Sequence, residues 1–181
     1  DSQKIYFSAN RSDDWEYEPV EADIFTVDMG GNIEQITDFP GNESSPVVSP
    51  DGKRVAYSRR DDKKLMYRNS YLYVMNADGS DSQLISGDFD RDVEDMAWNS
   101  KGNGLHFIYT DKGMGKLASI ELSGKVSDIT YGLGGLSLGR PYNAASFSAS
   151  TNNKFAYTLG DTSHPSDLGV ADTKSSKRLT A

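Results

Sequence analysis

The chain has 181 residues, 36% hydrophobic and 25% charged, a balance that fits a folded domain and not a disordered tail. A net charge of −8 argues against nucleic-acid binding, which needs clustered Lys and Arg, and no apolar run of about 18 residues is present to span a membrane. Cysteine is absent, which removes disulfides and thiolate chemistry.

Short alternating runs suited to strands begin at once, over residues 4–7, 23–28 and 33–37. Residues 46–49 and 54–57 follow, joined by Ser49-Pro50-Asp51-Gly52, in which proline presets one turn angle and Gly52 suits the left-handed position of a bulged three-residue hairpin. Then come 71–76 and 83–86, separated by Asn76-Ala77-Asp78-Gly79; Gly30-Gly31-Asn32 plays the same part earlier. A third group covers 95–98, 104–107, 116–121 and 126–130, and a fourth 144–148, 154–157, 167–172 and 177–180. The last run of each group ends in a hydroxyl residue, Thr37, Ser86, Thr130 or Thr180. No stretch carries a helical period over ten positions, and the one helix-tolerant segment, 61–68, is charged and falls where a loop is due.

Phe7, Tyr57, Phe107 and Tyr157 stand fifty positions apart, each closing one of these runs, so a four-stranded unit is written about four times. Antiparallel four-stranded units at this period are the sequence form of a β-propeller. The expected fold is therefore all-β, a β-propeller fragment of about four four-stranded antiparallel blades forming an open arc. Its expected blades cover residues 1-37 (partial), 38-86, 87-130 and 131-181. The first unit lacks its first strand, and the commoner six- and seven-bladed rings need roughly 250 residues or more. Terminal sheet faces carrying Ile5 and Phe7, and Phe155 and Tyr157, are expected to lie uncovered and to drive self-association.

The run Glu43-Ser44-Ser45-Pro46-Val47-Val48-Ser49-Pro50-Asp51-Gly52-Lys53-Arg54-Val55-Ala56-Tyr57, followed by residues 71–79, resembles the propeller repeat shared by TolB and the prolyl oligopeptidase family of serine peptidases. The opening residues 6–19, the long inserts after the Phe7 and Tyr57 runs, and Gly139-Arg140-Pro141-Tyr142 resemble the amino-terminal propeller of exported acylaminoacyl-peptidase or dipeptidyl-aminopeptidase-like enzymes. The resemblance implies a non-catalytic domain that caps and gates an α/β-hydrolase domain lying beyond Ala181 and restricts access to short peptides. It also implies an exported or periplasmic location. The alternative it leaves is a TolB-like propeller that binds other proteins in the cell envelope.

Within the chain, Gly135-Leu136-Ser137-Leu138-Gly139 matches G-x-S-x-G, but a nucleophile elbow needs a strand before it and a helix after it. Here it falls in a glycine-rich link. Asp161 and His164 follow Ser137 in the α/β-hydrolase order yet crowd into one short loop, so no catalytic residue is expected. His106 aligns with Tyr6, Ala56 and Ala156 and is expected to pack between blades. Two separated histidines and no cysteine do not supply the ligands zinc requires, and residues 88–95 mimic a calcium loop without its sixth-position glycine or twelfth-position glutamate. No metal or cofactor is expected.

Acidic inserts remain. Asp13, Asp14, Glu16, Glu18, Glu21 and Asp23 interleave with Trp15 and Tyr17, and Asp88, Asp90, Asp92, Glu94 and Asp95 crowd another link. Solvated loop charge accounts for most such clusters. Exposed aromatics beside carboxylates are a less ordinary surface, and so Asp13, Asp14, Trp15, Glu16, Tyr17 and Glu18 are the candidate loop facing a partner domain or the positive amino terminus of a peptide substrate.

Overall fold

Gly52 adopts φ 72°, its amide donates to Ser49 O at 2.9 Å, and the Ser49 amide reaches Arg54 O at 2.8 Å, closing the hairpin that the Ser-Pro-Asp-Gly turn predicts. The Ser49 hydroxyl binds the Asp51 carboxylate at 2.6 Å and accepts from the Arg54 amide at 3.0 Å, so turn side chains replace strand partners. The equivalent turn in the fourth repeat uses Asn153 at φ 56° in place of glycine.

The structure, a computed structural model, describes residues 3–63, 65, 67–135, 145–161 and 163–180. The chain divides into two compact units, Asp1–Asp90 and Arg91–Ala181. In the first, β1 (Lys4–Ala9), β2 (Asp23–Asp28) and β3 (Ile33–Gln35) form one antiparallel meander. A second meander orders β4 (Gly41–Val48), β5 (Arg54–Asp61), β6 (Tyr71–Asn76) and β7 (Gln83–Leu84). The second unit holds β8 (Glu94–Trp98), β9 (Gly104–Asp111), β10 (Met114–Glu121), β11 (Val126–Leu133), β12 (Phe147–Ala149), β13 (Phe155–Asp161), β14 (His164–Ala171) and β15 (Ser176–Arg178). Among the described residues there is no helix. None is therefore long and apolar enough to cross a membrane.

These are the repeated antiparallel sheets of an all-β propeller fragment. Tyr57 and Phe107, at equivalent positions of the repeat, are fully buried. In the first unit Ile24 meets Val55, Tyr57 and Met75, joining the face of one meander to the next. In the second, Ile108, Leu117 and Leu133 pack with Phe155, Tyr157 and Ala171. Each fully buried side chain of this size contributes about 1.5–3 kcal/mol.

Several expectations need correction. Strand β4 begins at Gly41 and not at Pro46, because Ser45, at φ 55°, bulges and breaks the alternation that marks a strand in sequence. Asp95 does the same in β8 at φ 46°. Strand β11 continues past Thr130 to Leu133, which pairs with Leu159, so the last two meanders share one sheet; β12 occupies the rest of that edge of β13. Asp161 and His164 are not loop residues but end β13 and begin β14, where they face each other. Phe155 and Tyr157 are buried in the core of the second unit, so they do not form an uncovered face; at the other end Ile5 is exposed as expected, while Phe7 is half-buried, stacked on Phe25 at 5.7 Å.

Candidate functional site

Residues 10–22 leave β1 and return to β2 as a compact insert. The Tyr17 and Glu18 amides both donate to Asp14 O, at 2.8 and 3.1 Å, and the Glu21 amide donates to Glu18 O at 3.1 Å. Asn10 Nδ2 donates to Glu18 O at 2.7 Å, tying the two stems together, while the Ser12 hydroxyl bonds the Asp14 carboxylate. Turn hydrogen bonds thus use the backbone locally and leave the side chains outward: Trp15 is 56% exposed and Tyr17 82%.

The six predicted residues, Asp13 to Glu18, stand on this outer turn and do not line the cavity beneath it. Their stems do. Asn10, Arg11 and Glu21 meet Asp23, Asp38 and Phe39 around a cavity of about 360 Å³. Three carboxylates against one guanidinium make it acidic, and Arg11 lies over the Phe25 ring at 5.7 Å. Gln35 Nε2 fixes Asp23 Oδ2 at 2.9 Å and Thr37 O at 2.9 Å. Burial first, and then the charges of Glu43, Asp38 and Glu21, push Asp23 up to about 6, against the opposing pull of the Phe39 amide. A concave acidic site of this kind attracts cationic groups.

Behind the cavity wall Glu43 is wholly buried. Arg59 Nε donates to its Oε1 at 2.7 Å and Nη2 to the Tyr57 hydroxyl at 2.9 Å, and the guanidinium stacks over Phe39 at 4.1 Å and Tyr73 at 4.3 Å. Phe39 therefore belongs both to the cavity lining and to the clamp on Arg59. Sequence reasoning grouped Glu21 and Asp23 with the acidic cluster but missed Asp38, Phe39, Glu43 and Arg59.

The remaining candidates do not converge. Ser137 and residues 139–142 lie outside the described residues. Asp161 accepts from the Ser163 amide at 2.8 Å and pairs with His164 Nδ1 at 2.9 Å, contacts that hold its carboxyl at about 2. His106 is buried edge-on to Phe155, ring centroids 4.7 Å apart, as its alignment predicts, and burial lowers its pKa. In the second acidic link, burial followed by the charges of Asp92 and Asp95 raises Glu94, and burial raises Asp95. Among the described residues no group of three or more His, Cys, Asp or Glu side chains is arranged to hold a metal. A larger concavity, about 730 Å³, opens on β13 to β15 over Ala156, Val170 and Leu179.

No protein-family model matches the chain. Over 82 residues it is 35% identical to the probable dipeptidyl-peptidase 5 of Arthroderma benhamiae, a stretch that is 44% of this chain and 11% of that protein. The acylaminoacyl peptidase of Pyrococcus horikoshii superposes on 99% of this chain and 26% of its own with a TM-score of 0.73 at 19% identity. TolB from Acinetobacter baumannii does so on 99% of this chain and 41% of its own, with a TM-score of 0.67 at 19% identity. The class is thus a β-propeller segment. It is similar to the propeller part of prolyl oligopeptidase-family peptidases and to that of TolB, and the matches to peptidases cover only this part of them.

Proposed function

We propose that the chain is the non-catalytic propeller segment of an exported serine peptidase, an aminopeptidase or acylaminoacyl-peptidase, and that it caps and gates a carboxy-terminal α/β-hydrolase domain of the same protein. The observation that carries this reading is the acidic cavity beneath the aromatic insert, in a chain whose curated relatives are dipeptidyl-peptidases. Glu21, Asp23 and Asp38 offer negative charge to the free amino terminus of a peptide, and Trp15 and Tyr17 offer apolar contact beside it. The same insert is the surface proposed to meet the hydrolase domain. The blades of residues 1-37, 38-86, 87-130 and 131-181 supply the scaffold, and their chemistry requires neither metal nor cofactor.

The likeness to TolB supports a second reading, a propeller that binds proteins in the cell envelope. Hydrolysis assays with peptide and ester substrates separate catalysis from binding: the chain alone gives no turnover, and turnover lost on Ser137→Ala overturns the non-catalytic reading. Self-association is proposed through the apolar face over Ala156, Val170 and Leu179, with Leu168 and Leu179 exposed. Sedimentation equilibrium reads it directly, and a monomer at high concentration contradicts it.

A further inference from the structure

At the start of β2 the chain changes neighbours. Ala22 forms a parallel bridge with Asn42: its amide donates to Gly41 O at 3.1 Å, and the Glu43 amide donates to Ala22 O at 2.7 Å. The bridge lies immediately ahead of Asp23 and Glu43, and the Glu43 charge reaches the Asp23 carboxyl.

Each carboxyl has one oxygen engaged and one idle. Gln35 holds Asp23 Oδ2 and Arg59 holds Glu43 Oε1, whereas Asp23 Oδ1 and Glu43 Oε2 are buried without a hydrogen bond of ordinary geometry, the Phe39 amide exerting only its weaker pull on the Asp23 carboxyl. Two adjacent carboxylates, both ionised, have only acceptors to offer each other, and a buried acceptor without a donor is costly. A single proton relieves both. Protonated Asp23 donates Oδ1–H to Glu43 Oε2, and the two idle oxygens satisfy one another.

We propose that Asp23 and Glu43 share a proton across the junction of β2 and β4, forming a clasp that is closed when protonated and strained when it is not. The surrounding charges fix which member carries the proton. Arg59 bonds Glu43 and keeps it as the acceptor, while Glu21 and Asp38 face Asp23 from the insert and from the segment after β3; Arg11 is the one cation lining that cavity among the described residues. Burial and these acidic neighbours bring the Asp23 titration to about 6. Since Asp23 also lines the cavity, closing the clasp removes one negative charge from it. The clasp itself does not depend on what the cavity binds.

The test uses carbon-13 NMR of the aspartate carboxyls and thermal melting of the whole chain. Asp23→Asn carries an amide that donates to Glu43 Oε2 at every pH and so imitates the closed clasp. In the unaltered chain the Asp23 carboxyl should titrate near 6, and in Glu43→Gln it should fall toward the ordinary value of 3.8. From the ordinary value of 3.8 upward the melting temperature of Asp23→Asn, measured against the unaltered chain, should rise by several degrees in favour of the variant and level off once the pH has passed the Asp23 titration at about 6. If Glu43→Gln fails to fold, the unaltered chain and Asp23→Asn still decide. An Asp23 titration at an ordinary carboxyl value, or an Asp23→Asn variant less stable than the unaltered chain at the alkaline end, overturns the proposal.

Discussion

The hydroxyl of Ser86 accepts a hydrogen bond from the backbone amide of Leu72 at 2.8 Å inside the second meander. Thr37 does the same for Ile24 at 2.9 Å, and Thr180 for Leu168 at 2.9 Å. Main-chain bonds from Ile36, Ile85 and Leu179 to the same three residues lie alongside. The hydroxyl ending each of these short runs thus completes a ladder that its strand is too short to finish. Ser86→Ala leaves the buried Leu72 amide without a partner and should cost about 1–3 kcal/mol. Urea denaturation checks it, with the midpoint lowered and the slope unchanged; Ser86→Thr should recover most of the loss.

Glu43 and Arg59 make a second test, because a buried ion pair is costly chiefly when one partner is removed. Arg59→Leu strands the Glu43 carboxylate and should destabilise the chain by about 3–5 kcal/mol. The pair replacement Glu43→Leu with Arg59→Met should be far milder than the single change, a difference a double-mutant cycle measures.

At Gly79 the backbone sits at φ 89°, and a Cβ there would lie 2.6 Å from Ile36 O, a backbone atom that cannot step aside. Gly79→Ala should therefore cost more than the roughly 1 kcal/mol of a positive-φ alanine alone. Thermal melting should place it well below Gly52→Ala, where the turn is open and no atom lies within 4 Å.

The first and second units should answer acid in opposite directions. His106 is buried and its pKa is lowered from 6.5, so its contribution to stability is present above that value and is lost as pH falls through the lower folded-state value. Asp23 has the reverse sign: its contribution is full below 3.8 and fades as pH rises through about 6. Hydrogen exchange over this range should show β9 and β13 opening on acidification while the start of β2 gains protection. His106→Phe should abolish the acid-induced opening of β9.

The strands and turns were legible because their signals are local. Alternation, the fifty-residue period and residues such as Gly52 each depend on a few neighbouring positions. The bulges at Ser45 and Asp95 were not, since a left-handed residue other than glycine leaves no composition signal. The insert was legible as a surface and not as a site: Trp15 and Tyr17 are exposed as expected, but the cavity is made by the stems together with Asp38 and Phe39. The adjacency of Asp23 and Glu43 arises from a bridge between residues twenty positions apart, and strand register of that kind is a tertiary fact.

The central claim is that the acidic cavity receives a free amino terminus, and calorimetric titration with two versions of one short peptide tests it most directly. The version with a free amine should bind, and its affinity should fall several-fold on Asp38→Asn and again as salt is raised, because the attraction is carried by charge. The acetylated version should not bind. Equal binding of both peptides, or free-amine binding untouched by Asp38→Asn, would contradict the account.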